Sequence, residues 1–190
     1  MRWLVTIVLA VLGGFAGAAA WNFSGLGGFA TRDYLLAHPE VLPEAIGRYQ
    51  VQQRQAQLAP VRDQLQTPFP GAVLGNPSGK LTLVEFSDYA CTYCRQSVAD
   101  VQQLIAGNPD LRVVVREYPI LRPESVDAAR MGLAAAQQGK FAAFHEAMYA
   151  LGPPSRETIE QAAKQAGVDL AVADKAIASG LFDPLLKANI

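Results

Sequence analysis

The chain has 190 residues, 51% of them hydrophobic and 17% charged, with a formal net charge of −1. That length allows one domain with a substantial core plus accessory segments. The near-neutral charge argues against a nucleic-acid partner. A single pair of cysteines fits an exported redox protein without establishing one.

Met1-Arg2 supplies one positive charge, and an uncharged apolar run extends from Trp3 to Ala20. As a helix these residues span about 27 Å, slightly short of the roughly 30 Å hydrocarbon core. Ala18-Ala19-Ala20 gives an A-x-A cleavage pattern, while Gly13, Gly14 and Gly17 weaken a permanent helix. Residues 1–20 therefore read as a signal peptide or a signal anchor, and both readings export the rest of the chain. Residues 21–30 form a Gly-rich spacer.

Residues 31–66 read as a helical arm with interruptions. Leu42, Ile46 and Tyr49 share one face, as do Leu58, Val61 and Leu65. Pro39 can open a helical turn, whereas Pro43 and Pro60 invite kinks. Between them, Gln50 to Gln57 is polar nearly all round, the pattern of a linker helix crossing solvent.

The breaker cluster Thr67-Pro68-Phe69-Pro70-Gly71 separates this arm from a domain over 67–190. A short strand is expected over Ala72 to Gly75, a turn over Asn76 to Gly79, and a central strand over about Lys80 to Ser87. A helical pattern starts at Cys91-Thr92-Tyr93-Cys94, with Val98, Val101, Leu104 and Ile105 on one face. The two cysteines thus sit at a strand-to-helix junction, the context in which C-x-x-C reads as a redox pair. A helix N-terminus offers unpaired N–H groups and a positive dipole worth at best about 2 kcal/mol to a thiolate. Cys91, nearer the helix start, is the expected nucleophile, and Cys94, one turn in, the resolving thiol.

Competing readings of the pair are weaker. A structural disulfide over two intervening residues removes little chain entropy. Half a zinc site lacks a second C-x-x-C, and His38 and His145 are too far apart in sequence to complete one as a His pair. A copper(I) site on the two thiolates is chemically sensible and is the strongest rival.

After the cysteine helix, Leu111 to Glu117 is a second β-branched strand, and two such strands joined by a helix favour a right-handed parallel βαβ unit. Helices are then expected over 124–138, ended near Gly139, and over Phe141 to Leu151, with His145 on the helix surface. A further helix is expected over Arg156 to Ala166 behind Ser155 as N-cap, and a short one from Asp169 that Gly180 ends.

Three stretches carry a family likeness. Val84-Glu85-Phe86-Ser87-Asp88-Tyr89-Ala90-Cys91-Thr92-Tyr93-Cys94 resembles the DsbA-like branch of the thioredoxin superfamily, especially its ScsC- and Com1-like bacterial members. Val114-Val115-Arg116-Glu117-Tyr118-Pro119-Ile120-Leu121 with Pro123-Glu124-Ser125 resembles the same branch. Arg32-Asp33-Tyr34-Leu35-Leu36 and His38-Pro39-Glu40-Val41-Leu42-Pro43-Glu44-Ala45 are similar to the helical segment preceding the domain in those proteins. The resemblance covers about residues 31–190. It implies an α/β fold, a thioredoxin-like βαβ core with a helical insertion behind an N-terminal helical arm. It further implies a periplasmic thiol–disulfide oxidoreductase acting on unfolded or misbridged exported proteins, with a membrane redox partner. The sulfurs are themselves the redox centre, so no cofactor is expected.

The resemblance also places an acid at Glu85, six residues before Cys91, packed behind the cysteine pair to relay protons. The alternative for Glu85 is a carboxylate on an open strand face that titrates normally. The arm is implied to mediate homo-oligomerisation. One departure stands out. The family continues after its helical insertion with a cis-proline loop, two antiparallel strands and a helix, which the residues from Asp183 to Ile190 do not supply. The expectation is a C-terminally incomplete chain, or an edge supplied by a partner, with a sheet edge otherwise unpaired.

Overall fold

The computed structural model describes residues 2–23 and 26–190, without the side chains of residues 2, 4, 22, 23, 26, 27, 29 and 30. The chain divides into two compact units, one up to Pro60 and one from Val61 to Ile190.

The first unit is helical: α1 (Arg2–Phe23), α2 (Leu26–Ala37) and α3 (Val41–Leu58). Residues 21–23 and 26–30 continue these helices, so most of the expected spacer is helical; residues 24 and 25 lie outside the described residues. Glycine costs only about 1 kcal/mol in a helix interior, and the helix formers flanking Gly27 and Gly28 carry the pattern across. Pro43 does not kink α3, because it lies in the first turn, where no intrahelical N–H is required. Among the described residues, no helix is long and apolar enough to cross a membrane.

The second unit begins before the expected breaker. Pro60 sits in a 3₁₀ turn (Ala59–Val61), and α4 (Arg62–Gln66) packs beside the sheet. The Arg116 guanidinium explains this placement, donating to the carbonyls of Gln64, Leu65 (3.2 Å) and Thr67 (3.0 Å). The compact unit that holds the sheet therefore takes in residues 61–66, which the sequence reading gives to the arm.

Three strands, β1 (Val73–Gly75), β2 (Leu81–Ser87) and β3 (Leu111–Glu117), form a sheet of order β1-β3-β2. β1 runs antiparallel to β3, and β2 runs parallel to it through α5 (Thr92–Gly107), giving the expected βαβ unit. The register pairs Leu83 with Val113, Glu85 with Val115 and Ser87 with Glu117. Strand alternation then puts Glu85 and Ser87 on the face that carries Val113 and Val115 into the core. The chain enters β1 through Gly71 at φ 87°, where a Cβ would stand 2.3 Å from the Ala136 carbonyl oxygen; only glycine fits.

The remainder is helical: α6 (Pro123–Gln137), α7 (Phe141–Leu151), α8 (Arg156–Gln165), α9 (Leu170–Ala178) and α10 (Asp183–Asn189). The small side chains of Ala128, Ala129, Ala134, Ala135 and Ala136 are buried and let α7, α8 and α9 approach α6 closely. Ser155 caps α8 in a reciprocal pair with Thr158, and Asp169 caps α9. Two expectations need correction. Leu104 is 48% exposed, because α5 packs through Val98, Val101 and Ile105 instead. His145 is not on the helix surface but 4% exposed. Its ring fills the apolar stripe of α7 between Phe141, Phe144, Met148 and Tyr149.

Candidate active site

Cys91 is the N-cap of α5, in extended conformation, and its Sγ accepts the Cys94 backbone N–H at 3.3 Å. Both cysteines are reduced and half-buried. The Cys94 thiol donates toward Cys91 and, with the backbone N–H groups of Cys94 and Tyr93, holds the Cys91 thiol below its ordinary range. Cys94 moves the opposite way, chiefly because it packs against the core, where burial disfavours the thiolate. The two sulfurs are thus chemically distinct, one held low and the other raised. The outer face of the motif carries Tyr93, 82% exposed.

Behind the pair lies a layer of polar groups. Glu85 is half-buried, and this desolvation raises its pKa; the Ser97 hydroxyl, 3.3 Å from Oε1, counters in part. Ser97 Oγ also lies 2.9 Å from the Cys94 carbonyl oxygen, which ties Glu85 to the first turn of α5. Glu85 lines a cavity of about 160 Å³ between β1, α5 and α7, with Gln102, His145 and Glu146. The carboxyl is thus on the inner face of the sheet rather than on an open one.

Further residues build the site and were not singled out from the sequence in this role. Asp88 is buried just before the motif; its Oδ1 accepts from the Ala90 N–H (2.8 Å), and its Oδ2 from the N–H groups of Ile120 and Leu121 (2.9 Å each). One carboxylate so fixes the strand-to-helix link against the loop after β3. Tyr89 donates to Glu117 Oε1 at 3.0 Å and lies 3.4 Å from His145 Nδ1. Gly132 makes room for that contact, since a Cβ there would stand 3.0 Å from Glu117 Oε1 and 3.1 Å from the Tyr89 hydroxyl. Burial pushes Glu117 well above the carboxylate range and lowers His145 to about 4; in each case it disfavours the charged form. Ser87 Oγ lies 2.6 Å from Tyr149 Oη, and Tyr149 donates to the Asp88 carbonyl oxygen at 3.1 Å. The Tyr149 carbonyl in turn accepts from Arg95 at 2.8 Å, so one residue of α7 grips both β2 and α5.

A sequence signal existed for two of these. Phe141, Phe144, His145, Met148 and Tyr149 recur at i, i+3, i+4, i+7 and i+8, the pattern of a core-facing stripe. Ser87, Asp88, Tyr89 and Glu117 meet only through strand register, which no local pattern shows. Among the described residues, no group of three or more His, Cys, Asp or Glu side chains is arranged to hold a metal ion.

A family model described as thioredoxin matches residues 69–190. A second, described as copper resistance protein ScsC N-terminal domain, matches residues 30–56, which contain no cysteine. A thioredoxin-like oxidoreductase from Silicibacter pomeroyi DSS-3 is 42% identical with a TM-score of 0.59, over 68% of this chain and 73% of that one. Proteus mirabilis ScsC in a transitional conformation is 26% identical with a TM-score of 0.60, over 84% of this chain and 75% of its own. A periplasmic thioredoxin-like protein from Salmonella enterica serovar Typhimurium is 26% identical with a TM-score of 0.54, over 63% of this chain and 78% of that one. Among curated relatives, a Na(+)/H(+) antiporter NhaA 1 of Mycobacterium sp. strain KMS is 39% identical over 72 residues. This match spans 36% of the present chain and 12% of the antiporter's length.

Proposed function

The chain belongs to the thioredoxin family, in its DsbA- and ScsC-like branch, and on that premise we propose that it is an exported protein thiol–disulfide oxidoreductase working through Cys91 and Cys94. The observation that carries the proposal is the asymmetry of the pair. Cys91 caps a helix with its sulfur accepting a backbone N–H, and Cys94 sits one turn deeper against the core. The Cys91 thiolate attacks one sulfur of a substrate disulfide and the other leaves as thiolate. Cys94 then loses its proton and attacks Cys91 Sγ, forming the Cys91–Cys94 disulfide and releasing the second substrate sulfur. Two electrons pass to the substrate, and the same steps reversed pass them back. Glu85, tied to the first turn of α5 through Ser97, is the base that takes the Cys94 proton.

The substrates are unfolded or misbridged exported proteins, with a membrane redox partner resetting the pair. The exposed apolar side chains of α1, among them Trp3, Val5, Leu9, Leu12, Phe15 and Trp21, support export by a signal peptide or retained anchor. The Salmonella neighbour described as periplasmic supports the same compartment. α3 has no buried residue and exposes Leu42, Ile46 and Tyr49 along one face, which supports self-association through the arm.

Copper(I) on the two thiolates is the competing reading, favoured by the copper-resistance description of the family model that matches the arm. One experiment separates them. A Cys94→Ala protein should accumulate a disulfide-linked adduct with a misbridged, disulfide-containing protein substrate, and Cys91→Ala should not. Tight copper(I) binding with no adduct under any condition would overturn the oxidoreductase reading.

A further inference from the structure

Resolution of the mixed disulfide requires a charged sulfur at the more buried position, where burial opposes it. Two hydroxyls converge there. Ser87, the last residue of β2, points its side chain to the inner face and is 2% exposed; Tyr149 reaches it from α7 at 2.6 Å. Because Tyr149 donates to the Asp88 carbonyl, the Ser87 proton goes to Tyr149 Oη, and a Ser87 lone pair is left for the Cys94 S–H. When Cys94 ionises, both hydroxyls can rotate without losing a proton: Ser87 turns its O–H to the sulfur, and Tyr149 turns its own to Ser87 Oγ.

We propose that Ser87 and Tyr149 form a reorienting hydroxyl pair that stabilises the Cys94 thiolate during resolution, Ser87 touching the sulfur and Tyr149 positioning Ser87. The inference rests on the oxidoreductase reading above and assigns the pair a task separate from that of Glu85. Glu85 removes the proton; the hydroxyls receive none and answer the charge that remains. The Asp88 backbone N–H and the Ser87 hydroxyl both act on Cys94 in the sense that favours its ionised form. Burial pushes the Tyr149 hydroxyl far above its ordinary value, so it stays a donor across the working range. The titratable and charged groups around Cys94 are Cys91 and Arg95 on α5, Glu85 and Asp88 from β2 and its link, Tyr89, Glu117 on β3, and His145 and Tyr149 on α7.

The test uses the full chain in two measurements. In a Cys91→Ala background, thiolate absorbance against pH reads the ionisation of Cys94 alone. In the wild-type cysteine background, an aromatic disulfide reagent loads Cys91, and release of the second aromatic thiol reads resolution. Loss of one hydrogen bond to a charged group predicts that Ser87→Ala raises the Cys94 pKa by about one unit and slows resolution about ten-fold. Tyr149→Phe, which keeps the ring packing, should shift both in the same direction by a smaller factor, about three-fold. Ser87→Thr should restore both, and the first attack by Cys91 should stay within about two-fold in every variant. An unchanged Cys94 titration in folded Ser87→Ala and Tyr149→Phe proteins would overturn the hydroxyl pair while leaving the oxidoreductase reading intact. Failure of wild type to load and release the reagent, with no adduct in Cys94→Ala, would overturn that reading and with it any role in resolution.

Discussion

His145 and Glu117 flank the Tyr89 hydroxyl and answer to pH in opposite senses. Burial holds His145 neutral down to about 4, against 6.5 in an exposed chain. The unfolded state therefore binds the extra proton first as pH falls below 6.5. Stability from neutral burial is full above that point and is lost progressively toward about 4, by at most about 3 kcal/mol. Glu117 is displaced upward from 4.5, so its contribution is present below that value and is lost as pH rises toward its folded pKa. Chemical denaturation across pH should show His145→Gln flattening the acid limb. Glu117→Gln, which keeps an acceptor for Tyr89, should gain stability at alkaline pH relative to wild type. A Glu117→Gln protein that loses stability there would show that the buried carboxyl is charged. At the same scale, Glu85 is raised by desolvation. Glu85→Gln should slow proton loss from Cys94 and flatten the pH dependence of resolution, leaving attack by reagents on the oxidised pair near normal. Stopped-flow exchange across pH reads both steps.

The elements hang on a few such contacts, and Asp88 is the clearest. Three N–H groups, of Ala90, Ile120 and Leu121, end on its two oxygens. Replacing it with Ala strands partly buried donors and should cost about 2–4 kcal/mol. Asp88→Asn, which keeps one oxygen, should lie between wild type and Asp88→Ala in urea denaturation. This contact shows why only part of the site was legible in the sequence. Elements with local signals stood out: the β-branched runs of β2 and β3, the helix opening at Cys91, the Ser155 and Asp169 caps and the Gly180 stop. The cysteines were found because their chemistry is local. Asp88 and Glu117 act on partners about thirty residues away, through a parallel register that depends on the whole βαβ unit. His145 was misplaced because a lone imidazole reads as polar, although its neutral form fits the aromatic stripe around it. α10 was missed as an element; its short run is held by Leu186 in the core and by Asn189 donating to the Glu117 carbonyl at 2.9 Å.

At the scale of the whole molecule, the question is where the arm ends and the catalytic unit begins. Composition put the break at the prolines and glycine of 67–71, but the second compact unit starts at Val61. Arg116 holds the difference. Its side chain is largely buried on the sheet face opposite Glu117, desolvation disfavours its charge, and its partners are main-chain carbonyls of residues 64, 65 and 67 with Asn189 Oδ1 at 3.5 Å. A buried guanidinium stripped of acceptors is strongly destabilising. Two truncations therefore differ although they are separated by few residues. Deleting 31–60 removes the exposed apolar face of α3 and leaves α4 in place. This variant should sediment and scatter light as a smaller species while keeping the unfolding midpoint of the catalytic unit and its thiol-exchange rate. Deleting 31–66 should show the same loss of association but unfold at lower denaturant, by about 2–3 kcal/mol, because Arg116 loses carbonyls that nothing replaces. Arg116→Met should narrow the gap between the two deletions, since an apolar chain of similar length leaves no donor to satisfy. Equal stability of the two deletions would place the boundary at the prolines after all, and an unchanged mass in both would remove the arm from self-association.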